Sequence, residues 1–190
     1  MKTMQVIFLT LLVVSVTSAQ VLKSGKCPTP DVQANFDASK YLEKWYEIKK
    51  LPNPFQVGEC STALYSLKSP GVIEVLNSEL LDDGTINSVV GTATVKNSSD
   101  PAKLEVTFFQ GTPPGPYWVL STDYEGHSLV YGCTDYVLFH LEYSWILSRE
   151  PTLPQETVEK LEGILSSIGV DVNKMLPTKQ DEVYCSVMHQ

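Results

Sequence analysis

From Trp45 to Ser148 apolar and polar residues alternate in short runs broken by turn residues, a period of two that predicts strands. The runs are Trp45–Lys50, Cys60–Leu67, Val72–Leu80, Ser88–Val95, Ala102–Phe109, Tyr117–Tyr124, Ser128–Thr134 and Val137–Ser148. Between them lie Ser69-Pro70-Gly71, Asp82-Asp83-Gly84, Asn97 to Pro101, Gly111 to Pro116 and Glu125-Gly126, whose Gly, Pro, Asn and Asp supply turn geometry. Loops this short join neighbouring strands, so the pattern predicts an antiparallel meander. Only Pro154 to Ile168 changes period, placing Val158, Leu161, Leu165 and Ile168 at helical spacing. Pro154 suits the first turn of that helix and Gly169 its end. One apolar stripe needs one surface to cover, and the outside of a sheet provides it. Val170 to Cys185 is expected to run as a short strand or an extended tail against the sheet.

In the last run Phe139, Leu141, Tyr143, Trp145 and Leu147 alternate with His140, Glu142, Ser144 and Ile146. The odd positions are expected to face inward. A row with three aromatics, one bearing a hydroxyl and one an indole N–H, suits a lined cavity, but the same rings also pack well in a filled barrel or sandwich. Periodicity leaves both open.

Ahead of this region Lys2 precedes an apolar run from Val6 to Val16 that is too short to span a bilayer. Residues 1–19 read as a signal peptide and residues 20–190 as one secreted domain, with Gln20 free to cyclise to pyroglutamate. The mature length of about 170 residues suits a single core. Losing Lys2 takes the formal net charge from −8 to −9, which repels phosphate backbones and makes nucleic acid an unfavourable partner. In an oxidising compartment Cys27, Cys60, Cys133 and Cys185 are expected to form two disulfides, with three pairings allowed by spacing. No two cysteines are close and the three histidines are scattered, so no metal and no cofactor is expected. Asn97-Ser98-Ser99 is an N-glycosylation sequon in an expected loop.

Lys44-Trp45-Tyr46 at the start of the first run, Thr122-Asp123-Tyr124 at the end of the sixth and Arg149 after the eighth resemble the three motifs of the lipocalins. The resemblance implies an all-β fold: an eight-stranded antiparallel up-and-down barrel with one C-terminal α-helix packed on its outside. It also implies that Trp45 and Arg149 plug the closed end through packing and a cation–π contact. One departure stands out, Glu43 where the family carries glycine two residues before the tryptophan. Further segments, among them Gly25-Lys26-Cys27-Pro28, Pro116-Tyr117-Trp118 and Asp171-Val172-Asn173-Lys174-Met175, place the chain near one branch of the family. That branch implies the disulfides Cys27–Cys133 and Cys60–Cys185, each worth about 4–5 kcal/mol in the chain-entropy picture. It implies a pocket lined by Tyr65, Asn77 and Trp145, joined by Phe139 and Tyr143 from the inward row. A ligand carbonyl or carboxyl is the expected partner for Asn77, since a buried amide is costly unpaired.

Relatives in that branch carry an unpaired fifth cysteine near the position of Asp135, so no covalent dimer through such a cysteine is expected here. Their apolar hairpin tip reads Phe109-Gln110-Gly111-Thr112-Pro113-Pro114, where Phe109 alone is large and apolar, which argues against insertion into lipoprotein particles and against methionine-based peroxide reduction. The function implied is reversible carriage of a small lipophilic ligand, a fatty acid such as arachidonate or a steroid such as progesterone. Lipoprotein particles and a cell-surface receptor are the other partners considered. The competing readings are a lipocalin-type enzyme, which would need a free thiolate, and a receptor-binding module with a filled barrel. No G-x-S-x-G elbow or paired-carboxylate motif supports catalysis, and no catalytic residue is expected.

Overall fold

In a computed structural model that describes residues 21–189, the period-two runs become strands of one continuous antiparallel sheet. In chain order these are β1 (Val21–Ser24), β2 (Glu43–Lys50), β3 (Glu59–Ser69), β4 (Val72–Leu80), β5 (Ile86–Val95), β6 (Lys103–Thr107), β7 (Gly115–Thr122), β8 (His127–Asp135) and β9 (Phe139–Ser148), followed by α1 (Gln155–Ser167) and β10 (Leu176–Pro177). From β2 to β9 each strand pairs with its successor, and β9 returns to β2 with Tyr46 opposite Ser148 and Lys50 opposite Trp145. Closure removes the sheet's free edges, so β2–β9 form an eight-stranded barrel. The two strands beyond the meander lie outside the ring: β1 pairs with β9, and β10, in the segment expected to form a tail, pairs with β2.

Alternation in this closed sheet creates two separate apolar clusters. Inward-facing Trp45, Tyr65, Ile73, Val75, Ala93, Leu104, Val119, Val130 and Leu147 fill the lower interior. Outward-facing Leu129, Tyr131 and Ile146 pack against Val158, Leu161 and Leu165 of α1. Leu161 and Leu165 have no solvent exposure, and burial of each contributes roughly 1.5–3 kcal/mol. Pro154 caps the helix without a side-chain bond, and Gly169, at φ +88°, lets the chain turn so that the Val170 amide bonds the Leu165 carbonyl.

The structure joins Cys27 to Cys133 and Cys60 to Cys185. The first ties the N-terminal arm to β8 and the second ties the C-terminal tail to β3. The leader residues and Gln20 lie outside the described residues. Connections alternate between two ends of the barrel. One end carries residues 70–71, 96–102 and 123–126; the other carries residues 51–58, 81–85, 108–114 and 136–138.

Candidate ligand-binding site

The closed end is built from the three motifs. Trp45 is fully buried, donates its indole N–H to the Tyr41 carbonyl at 3.0 Å, and has the Arg149 guanidinium stacked 3.8 Å from its ring centroid. The same guanidinium donates to the carbonyls of Tyr124 (2.9 Å), Lys44 (2.8 Å) and Lys40 (3.2 Å). Arg149 therefore fastens the start of β2 to the β7–β8 turn. Burial lowers its pKa, and the nearby Tyr41, Glu43 and Asp123 work in the opposite direction. In the turn Asp123 Oδ1 accepts the amides of Gly126 and His127 at 2.8 Å, and Thr122 Oγ1 donates to the His127 carbonyl while accepting the Tyr124 amide. Burial pushes the Asp123 pKa up, but those two amides together with the neighbouring His127 side chain and its own backbone amide outweigh it and hold the group below its ordinary value. Glu43 adopts φ +73°, the left-handed backbone that glycine takes without strain. A glutamate here thus holds a backbone conformation that glycine would adopt more easily.

Above this plug three tyrosines form a floor. The Tyr41 hydroxyl bonds Ser128 Oγ at 2.8 Å and the Tyr117 hydroxyl at 3.1 Å; the Tyr117 hydroxyl also meets that of Tyr65 at 2.8 Å. Burial pushes the Tyr41 pKa up to about 12 and raises Tyr65 and Tyr117 as well, so all three stay neutral donors at physiological pH. Tyr65, expected to line a pocket, is buried in the lower interior with its hydroxyl committed to Tyr117.

Asn77, on β4, faces inward between Ala63 of β3 and Val89 of β5. Its Oδ1 is buried without a hydrogen-bond partner, as is the Oγ of Ser61. The unpaired atom is an acceptor, which a hydroxyl, an N–H or a protonated carboxyl can satisfy, while the amide nitrogen of the same side chain is the group that would donate to a carbonyl.

Toward the other end, Trp145 donates its indole N–H to Gln56 Oε1 at 2.7 Å. Its ring stacks on Tyr143 with centroids 6.1 Å apart, and Phe55 meets Tyr143 at 5.5 Å. Phe139 sits at the rim, stacked 4.8 Å from Tyr136 of the β8–β9 turn. Glu47 is buried beside these groups, held by Thr178 Oγ1, Gln56 Nε2 and the Lys50 ammonium at 3.0 Å.

Burial along β9 is the reverse of that in a filled barrel. Outward-facing His140, Glu142, Ser144 and Ile146 are buried, Glu142 at 1% exposure and Ser144 at 0%, beneath α1 and the N-terminal arm. Inward-facing Phe139, Leu141, Tyr143 and Trp145 keep intermediate exposure. Over residues 139–146 of β9 the inner side is therefore more exposed than the outer, while inward-facing Leu147 below them is buried. The rim is apolar as well: Val137 is 91% and Leu138 80% exposed, with Phe55, Val57 and Phe109 exposed on neighbouring loops.

Sequence reasoning missed Tyr41, Tyr117, Gln56 and Glu47. Tyr117 had a usable signal, since it shares the inward parity of Val119; Gln56 lies in a loop, where no periodicity points anywhere. Asn97 is exposed on the β5–β6 loop, its Oδ1 accepting the Ser99 amide and hydroxyl. Among the described residues no cysteine is free, and no group of three His, Cys, Asp or Glu side chains comes together to hold a metal.

Residues 36–180 match the family described as a lipocalin-like domain. The chain is 56% identical over 157 residues to apolipoprotein D of Mus musculus, covering 82% of this chain and 83% of the relative. It is 53% identical over 167 residues to apolipoprotein D of Bos taurus, covering 87% of each. Among solved structures it is similar to lobster apocrustacyanin A1, with a TM-score of 0.75, 26% identity and coverage of 84% of this chain and 91% of that one.

Proposed function

The chain belongs to the lipocalin family, and on that premise we propose that it is a secreted carrier that takes a small lipophilic molecule into the open end of its barrel. The observation that carries this reading is the inverted burial along β9, where the inward row of aromatics keeps the access that a filled barrel would deny it. The proposed site has the Tyr41–Tyr65–Tyr117 network as its floor, Asn77 on its wall, and Tyr143 and Trp145 near its mouth, with Phe139 at the rim. Burying about 300 Å² of apolar ligand surface releases roughly 7–8 kcal/mol. Immobilising the ligand consumes part of this, which sets micromolar to sub-micromolar affinity as the natural scale. Steroids such as progesterone and fatty acids such as arachidonate both fit the chemistry of an apolar body with one or two polar ends.

Two readings compete with carriage. A lipocalin-type isomerase uses a free thiolate, and here all four cysteines are paired. A solid receptor-binding module would have no accessible inward row. The apolar rim of Phe55, Val57, Phe109, Val137 and Leu138 supports a lipid surface, such as that of a lipoprotein particle, as the place where ligand is exchanged. These residues supply apolar surface beyond the Phe109 tip. We further propose removal of residues 1–19, cyclisation of Gln20 and glycosylation at the exposed Asn97.

The test is mass spectrometry of organic extracts from protein purified out of its native fluid, paired with tryptophan-fluorescence titration of stripped protein with progesterone and arachidonate. A recurrent small lipid and saturable quenching are expected. Empty extracts together with flat titrations would overturn the carrier reading.

A further inference from the structure

A ligand oxygen entering the barrel would be expected to use the indole N–H of Trp145, and that donor is already taken. Trp145 Nε1 donates to Gln56 Oε1 at 2.7 Å. An indole N–H can only donate, which fixes the orientation of the Gln56 amide. The same oxygen also accepts Asn53 Nδ2 at 3.2 Å, while Gln56 Nε2 donates to Glu47 Oε2 at 3.0 Å. Gln56 is therefore held from three sides, and Glu47 is held in turn by Thr178 and Lys50. The neighbouring Phe55 ring meets Tyr143, which stacks on Trp145. The segment between β2 and β3 thus rests on the inward row of β9 through one aromatic contact and one polar pin.

We propose that Gln56 determines which ligands the cavity favours, by standing in for a ligand's hydrogen-bond acceptor. This rests on the carrier reading and deepens it. A ligand carbonyl or carboxylate that approaches Trp145 must displace Gln56 Oε1, exchanging one hydrogen bond for another with little net gain. A hydrocarbon ligand displaces nothing. The intact protein therefore discriminates weakly for an acceptor at the Trp145 end and sorts its ligands chiefly by shape. Removing the Gln56 acceptor orphans the indole N–H, and a ligand oxygen then gains a bond without losing one.

The experiment uses the mature protein, wild type, Gln56→Leu and Gln56→Met, titrated by intrinsic fluorescence with progesterone, which carries two carbonyls, and with 5α-pregnane, its hydrocarbon skeleton. Both variants are expected to bind progesterone up to about tenfold more tightly while pregnane affinity changes by less than about twofold. In ¹⁵N spectra the Trp145 indole resonance, assigned with Trp145→Phe, is expected to shift upfield in Gln56→Leu and to move back when progesterone is added. Equal gains for both probes would mean that the segment is only a steric barrier, and would overturn the proposal. So would an unchanged affinity ratio in folded variants, or an indole resonance that ignores the substitution. Wild-type protein that binds neither probe would overturn this proposal, and the carrier reading falls with it only where extracts are empty and the arachidonate titration is flat as well; wild-type binding with an unchanged ratio overturns this proposal alone.

Discussion

Replacing Asn77 by leucine is expected to move stability and ligand binding in opposite directions. The two side chains share a branched skeleton with the same number of heavy atoms, leucine being the bulkier, and the change exchanges an acceptor for apolar surface at an inward position between Ala63 and Val89. Asn77 Oδ1 is buried without a partner, and an orphaned acceptor costs about 1–3 kcal/mol. The residue as a whole is only half-buried, so the lower end applies, about 1 kcal/mol. For a domain of this size that corresponds to a rise in Tm of about 2–4 °C in the ligand-free protein. A ligand whose hydroxyl donates to Asn77 loses that bond in the variant and binds about 2- to 10-fold more weakly. Pregnenolone has such a hydroxyl and progesterone has none, so titrating both separates hydrogen bonding from shape. Thermal unfolding by near-ultraviolet circular dichroism supplies the stability arm. A lower Tm in the ligand-free variant would show that Asn77 holds the wall together, and equal losses for the two steroids would show that it acts through shape; either result refutes the reasoning.

At the closed end, Arg149→Leu removes three bonds to carbonyls and the contact over Trp45, and is expected to cost about 2–4 kcal/mol with ligand affinity within about twofold of wild type. Chemical denaturation measures this, and Arg149→Lys should recover less than half because an ammonium lacks the planar fork. Glu43→Gly and Glu43→Ala both delete the carboxylate near Arg149, but only glycine relieves a left-handed backbone at φ +73°. The glycine variant should be more stable than the alanine variant by about 1 kcal/mol, and equal urea midpoints would count against strain at this position. The tyrosine floor makes the fold sensitive to alkali. Tyr41 has its pKa raised from 10.0 to about 12 by burial, so the folded state holds the proton more tightly than the unfolded chain. Its contribution is fully present below pH 10.0 and is lost as pH rises to about 12, a fall of about 2–3 kcal/mol that urea titrations across that window should detect. Tyr41→Phe should make the profile less steep by that share, while the still more strongly raised Tyr65 and Tyr117 keep the remainder.

The period-two pattern from Trp45 to Ser148 was enough to specify strands, their order and which side of the last strand faces inward, because alternation on a pleated strand is a local property. The stripe Val158–Leu161–Leu165 likewise specified a helix and the need for a surface to cover. Pattern could not say whether the inward aromatics line space or fill it, since accessibility depends on what stands opposite them across the barrel. Nor could it anticipate that Glu43 would keep a glycine's backbone, a conformation imposed by pairing opposite Tyr65 and by the closed-end plug. The hydrogen bonds that commit Tyr65 and Trp145 join residues far apart in sequence, Tyr65 to Tyr117 and Trp145 to Gln56, brought together only by closure of the barrel. Which polar groups are spoken for and which, like the Asn77 oxygen, remain open was therefore decided by tertiary structure: a side chain's chemistry is written in the sequence, but its partners depend on how the chain returns upon itself.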